Sequence, residues 1–293
     1  MLKTGSSFVA LFICICCSAQ QAQLFEPGLI SDGGVFGLTI SPEGNTALWV
    51  KSNGRRDTLT VLQSDKINGR WTKPVVASFS TVDAQWKDVD PMFTPDGKTV
   101  LFQSTRPVPD QPNRTGFDIW AVDRTSSGWT VPYHLGNVIN TDASESYASV
   151  TRQGHVYFMK ENPSKAGNSD IYVSRKMNGV FQEPVNIGLP VNTEQFRESN
   201  PFISPDEDYI LYFSSDSTGL GEVDLYISFN KNGKWTQPQN LGTKVNSSLA
   251  EFCPFYHEKE KRLYFSRQKK GEGRMYEDIY FIEIDLKTFD NKY

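Results

Sequence analysis

The sequence predicts an all-β chain: a five-bladed β-propeller of four-stranded blades, closed by an N-terminal strand that completes the last blade. Three observations lead there. One phrase recurs, as "GKWTQPQNLGTKVNS" from Gly233, "GVFQEPVNIGLPVNT" from Gly179, "GWTVPYHLGNVINT" from Gly128 and a worn "GRWTKPVVASFST" from Gly69. A second phrase alternates with it, clearest as "DVDPMFTPDGKTVLFQS" from Asp88 and "ESNPFISPDEDYILYFSS" from Glu198. No stretch beyond the first twenty residues carries the apolar spacing of an amphipathic helix. Self-similarity at a fixed period marks a repeat architecture. Four short strands in a unit of about 54 residues make a propeller blade.

Taken in order, residues 1–19 read as a secretory leader, and 20–293 as one propeller domain. Lys3 precedes an apolar run over 8–17, followed by "SAQQAQ". That run is too short to span a bilayer, which needs about 20 residues. Cleavage after Ala19 implies a periplasmic or secreted protein without a membrane span. Cys14, Cys16 and Cys17 lie in the leader. None has the neighbours a lipoprotein signal wants, so lipid anchoring is the minor alternative. The remaining thiol, Cys253, has no partner for an intramolecular disulfide. Losing Lys3 takes the formal charge from −4 to −5, a balance that does not suggest nucleic acid.

The units begin at Val35, Asp88, Glu145, Glu198 and Glu251. A short apolar first strand such as "NPFIS" suits a crowded axis. "PDGK" and "PDED" supply turn chemistry. "YILYFSS" and "DLYISF" have the β-branched and aromatic content of second and third strands. Asp57, Asp118, Asp170, Asp224 and Asp278 open the third strands, at gaps of 61, 52, 54 and 54. An Asn-Gly or Ser-Gly turn then leads into a fourth strand that starts at the aromatic of the recurring phrase. Trp71, Trp129 and Trp235 read as packing between blades. The fifth unit ends at "DIYFIEIDLKTF" with no outer strand. "LFEPGLIS", residues 24–31, has the aromatic, proline and apolar residue of one, and is expected to pair with 278–286.

"TPDGKTVLFQS", "SPDEDYILYFSSDSTG" and "GEVDLYIS" resemble the Pro-Asp propeller repeats of the TolB family over nearly the whole exported chain. The resemblance implies an envelope location and a propeller. It does not imply TolB's role, since there is no room for the separate N-terminal domain, and five long blades replace six short ones. The repeats are also similar to those of propeller oligogalacturonate lyases, which are enzymes. Fold alone leaves function open.

Candidate chemistry is sought where first strands enter the channel. Asp88, Glu145, Glu198 and Glu251 stand at that entry, a ring that either orders backbone amides or faces a ligand. Lys51, Lys160 and Arg267 replace the small polar residues Ser104 and Ser215 at the end of the second strand, with Arg106 and Arg197 nearby. Such cations either pair with the ring or recognise an anionic ligand. Tyr147 stands in the slot of Asp90 and Asn200. Trp86, Phe196 and Phe252 lie in the same entry loops, suited either to a sugar face or to plugging the channel.

Other chemistries lack their residues. His155 and His257 fall at the far end of the channel and His134 on an outer strand, so a Ser-His-Asp triad is not expected. No zinc ligand cluster is present, and no metal or cofactor is expected. The expectation is an exported propeller acting on an anionic, uronic-acid-containing oligosaccharide by β-elimination, as lyase or dehydratase. Tyr147 or Lys160 would take the proton, Arg197 would neutralise the carboxylate, and Glu198 or Glu251 would protonate the leaving oxygen. Lys51, Trp86, Asp88, Arg106, Glu145, Phe196 and Arg267 would bind substrate. The alternative is a non-catalytic TolB-like envelope protein that binds a protein or cell-wall ligand. Hydrolysis by opposed carboxylates is a third reading, for which spacing in sequence gives no distances.

Overall fold

The structure is a computed structural model that describes residues 21–290 apart from 82–84, 109–110, 112, 163–166 and 272. The leader expected at 1–19, with its three cysteines, lies outside the described residues. Five antiparallel sheets form the blades of a propeller. The first strands, Val35–Ile40, Asp88–Phe93, Glu145–Val150, Glu198–Ile203 and Ala250–His257, pack one against the next around the axis, and the fifth meets the first again. Among the described residues the one helix is Lys287–Asp290, so none is long and apolar enough to cross a membrane.

The N-terminal segment closes the ring as expected. Gln23–Leu24 pairs with the third strand of blade five, Gln23 opposite Phe281 and Leu24 opposite Tyr280. The Phe25 amide donates to Ile279 O at 2.9 Å, and Ser31 Oγ donates to the same carbonyl at 2.9 Å. Phe25 and Ile30 are buried there. Phe25 meets Trp71 of blade one, Trp129 meets Phe79 and Phe93, and Trp235 meets Tyr157 of blade three. These indoles pack between blades.

Three details depart from expectation. The outer strands do not begin at the aromatic. Arg70–Trp71, Gly128–Trp129 and Lys234–Trp235 each close a tight hairpin on the end of the third strand. The ladder then breaks at Pro74, Pro132 and Pro238, which have no N–H to give it. It resumes at Val75–Val76, Tyr133–His134 and Gln239–Asn240. Asp57 is not the equivalent of the later aspartates, because Lys51 pairs in register with Thr60. The partner of Glu198 across the strands is Ser214, not Ser215.

The recurring phrase has a mechanical meaning. Its Asn, at 140, 192 and 246, accepts the amide and donates to the carbonyl of one third-strand residue: Ile119, Ile171 and Leu225. The following hydroxyl residue, Thr141, Thr193 or Ser247, gives its amide and its Oγ–H to the entry carboxylate of the next blade, Glu145, Glu198 or Glu251. Each copy therefore fastens an outer strand to its own blade and to the next one.

Candidate functional site

Each first strand carries a β-bulge, with a register shift just after its second residue, or its third in the longer strand of blade five. The bulged residues are Gly37, Asp90, Tyr147, Asn200 and Cys253, all at positive φ. Asn at such a φ is ordinary, whereas Tyr and Cys there are strained. The bulge side chains converge on the axis. Cys253 Sγ donates to Asp90 Oδ1 and lies equally close to Asn200 Oδ1, both at 3.6 Å. Tyr147 Oη donates to Pro254 O at 2.8 Å. Gly37 leaves the space Asp90 needs, since a Cβ there would lie 2.9 Å from Asp90 Oδ1.

Above this floor opens a cavity of about 630 Å³. Strand alternation decides what lines it. The residues just before the entry position, Lys87, Ser144, Arg197 and Ala250, face it. So do those just after, Phe36, Val89, Ser146, Ser199 and Phe252, and the bulge residues Asp90, Asn200 and Cys253. The entry carboxylates themselves point the other way and are fully buried.

That parity corrects the sequence reading of the mouth. Asp88 accepts Ser80 Oγ and Ser104 Oγ at 2.9 and 2.6 Å, and pairs with Arg106 at 2.7 Å. Glu145 pairs with Lys160 at 3.7 Å, and Glu251 with Arg267 at 2.6 Å. Blade one lacks a carboxylate at Val35, and Lys51 turns to Asp32 at 2.5 Å instead. Glu198 meets Ser214 rather than a cation, and burial pushes its pKa up to about 7. Of the five cations expected to gather at the mouth, Arg106, Lys160 and Arg267 are thus spent on carboxylates behind its wall, and Lys51 on the exposed Asp32. Trp86 sits 5.5 Å from the Arg106 guanidinium. Neither it nor Phe196 lines the cavity. Tyr147 is sealed in the floor, and burial raises its pKa well above 10, so it is no base for a ligand in the cavity. Lys160, Arg267, Glu198 and Glu251 do not join Arg197 there.

Arg197 is the exception. Its backbone is held to Ser215, its guanidinium lies 4.9 Å from the Phe213 ring, and burial lowers its pKa. Among the described residues no carboxylate pairs with it, and the same is true of Lys87. Arg56, also lining the cavity, does have a partner: the fully buried Glu277, which also accepts Gln268 Nε2 at 2.7 Å. The Arg56 guanidinium stacks 4.7 Å from Phe36. Asp90, half-buried on the axis, is raised to about 6 by burial, against the pull of Arg56 and the Cys253 hydrogen bond. Burial likewise drives the Cys253 thiol well above its usual value.

Sequence reasoning missed Asp90, Lys87 and Arg56 as cavity residues. For Asp90 the signal was the bulge slot, a column in which Gly37, Asp90, Tyr147, Asn200 and Cys253 share no chemistry; Lys87 and Arg56 lie outside it. Among the described residues no cluster of His, Cys, Asp and Glu is arranged to hold a metal ion.

No family model matches the sequence. No curated protein matches it either. Solved structures do. A thermostable family-43 glycoside hydrolase superposes with a TM-score of 0.60 at 12% identity, over 90% of this chain and 94% of that one. An α-L-arabinofuranosidase from Lactobacillus brevis gives 0.53 at 12%, over 89% and 94%. The α-L-arabinofuranosidase PaAbf62A of Podospora anserina, solved with cellotriose, gives 0.52 at 11%, over 89% and 96%. At such identities the likeness is one of fold.

Proposed function

We propose that the chain is an exported propeller that acts on a uronic-acid-containing oligosaccharide, with the mouth cavity as its site. Arg197 carries the reading. A half-buried guanidinium without a carboxylate is costly unless a ligand supplies the charge. Lys51, Arg56, Arg106, Lys160 and Arg267, in or around the wall, all have carboxylate partners, and the partner of Arg197 is best supplied by substrate. Phe36, Phe117, Phe213 and Phe252 offer apolar faces to a sugar ring, and Ser144, Ser146, Ser199 and Asn200 offer hydrogen bonds. Structures of like fold named for glycosidases support a sugar as ligand, and the repeats' resemblance to oligogalacturonate lyases supports an acidic one.

The chemistry this set supports is β-elimination. Arg197, helped by Lys87, binds the uronate carboxylate and makes the proton on the adjacent carbon more acidic. Asp90, titrating near 6, is ionised at neutral pH and basic enough to take that proton. The released electron pair forms the carbon–carbon double bond, and the bond to the glycosidic oxygen breaks. That oxygen takes a proton back from Asp90. The products are an unsaturated uronate and a shortened chain.

One observation favours a second reading, a non-catalytic envelope binding protein: Tyr147, which the sequence offers for proton transfer, is sealed. Incubation with oligomers of galacturonate, mannuronate, guluronate and glucuronate separates the two. Elimination gives rising ultraviolet absorbance of unsaturated uronate, lowered about 10²- to 10⁴-fold in Asp90→Asn with binding retained. New reducing ends without absorbance point to hydrolysis, and binding without turnover supports the second reading.

A further inference from the structure

The last hairpin is longer than the others. Its strands, Arg262–Gly271 and Arg274–Glu283, run ten residues each, and the pairing extends out to Gly271 opposite Arg274. The tip is tied to blade one, where the Met275 amide donates to Gly54 O at 2.9 Å. Between them lies a cleft of about 230 Å³ lined by Gly33, Gly34, Lys51, Asn53, Arg274 and Tyr276, among others. Met275 lines both this cleft and the mouth cavity, so the two adjoin.

The cleft has the composition of a sugar-acid site. Tyr276 is half exposed, an aromatic face in solvent, with its ring lying against Gly271, where a Cβ would come within 2.6 Å of it. Arg274 is exposed and, among the described residues, unpaired, as are Arg55 and Lys269 beside it. Lys269 stands opposite Tyr276 in the ladder. The nearby acids are engaged: Asp32 with Lys51, Asp57 with Asn53, and Asp278 with the Gly33 amide. Three glycines, Gly33, Gly34 and Gly54, keep the wall free of side chains.

We propose that this seam between blades five and one is a second subsite, binding a further acidic sugar through Arg274 and Tyr276, so that the ligand is a chain leaving the mouth over Met275. The inference rests on the mouth cavity holding the first acidic unit. It assigns a direction to the bound chain and makes affinity depend on chain length.

Calorimetric titration of wild type, Arg274→Ala and the Arg274→Ala/Tyr276→Ala double variant with uronate monomer, dimer and tetramer tests it. Both side chains are exposed, and thermal melting confirms that the variants fold. Wild type is expected to bind tetramer more tightly than monomer. Arg274→Ala should weaken tetramer binding about two- to fivefold, as for one exposed ion pair, and the double variant about tenfold. Monomer binding should not change. Tetramer binding that is unaltered in the double variant overturns the subsite while leaving the mouth cavity standing. A wild type that binds no uronate of any length overturns both.

Discussion

Asp90 shows how one position in a repeat turns from scaffold to chemistry. Its slot is a bulge, its neighbour on the adjacent blade is a glycine, and burial holds its proton to about pH 6. The unfolded chain releases that proton near 3.8. Ionisation therefore costs the folded state stability as pH rises from about 4 to 6, fully above that and not at all below. Asp90→Asn avoids this cost. Urea midpoints should show the variant gaining on wild type between pH 4 and pH 7.5, by about 1–3 kcal/mol at 1.36 kcal/mol per pKa unit. A difference that stays constant over that range would show that Asp90 is not buried as described. The sequence hid this residue because the eye follows the uniform acidic column at the entry. Strand alternation sends that column away from the cavity, and only the bulge returns Asp90 to it.

At the scale of elements, the recurring phrase was legible in its effect and illegible in its parts. Its period, its strand count and the latch at 24–31 follow from self-similarity alone. The role of its Asn does not, since a side chain that clamps a backbone looks in sequence like any loop asparagine. Asn246→Ala leaves the buried amide and carbonyl of Leu225 without partners. Denaturant unfolding should show a loss of about 2–4 kcal/mol, with turnover per folded molecule unchanged. A loss below about 0.5 kcal/mol would mean that water replaces the clamp. The break at Pro74, Pro132 and Pro238 was open to prediction from the missing N–H, but the aromatic before it reads as a strand start because it does pair, in the hairpin rather than in the ladder.

For the whole molecule, closure decides stability. The latch buries Phe25 and Ile30 and pairs with Ile279, Tyr280 and Phe281 on the outer edge of blade five, which would otherwise be open there. A chain beginning at Val35 loses both side chains, worth about 3–5 kcal/mol for Phe25 and about 2–5 kcal/mol for Ile30. Its melting temperature should fall by about 10 °C or more relative to a chain beginning at Gln21. Equal melting temperatures would show that four and three-quarter blades suffice.

The same ring places every entry carboxylate behind the wall and leaves Arg197 in the cavity without a carboxylate partner among the described residues. We propose that an acidic sugar supplies that partner. The most direct measurement is the affinity of wild type and Arg197→Ala for a uronate oligomer and for the neutral sugar of the same linkage. Truncating one partner of a desolvated charge pair costs about 2–5 kcal/mol, so Arg197→Ala should bind the acidic oligomer at least about thirtyfold more weakly. Neither protein should bind the neutral one measurably. Equal affinity of the two proteins for the acidic oligomer, or wild-type preference for the neutral sugar, would show that Arg197 does not bind a sugar carboxylate.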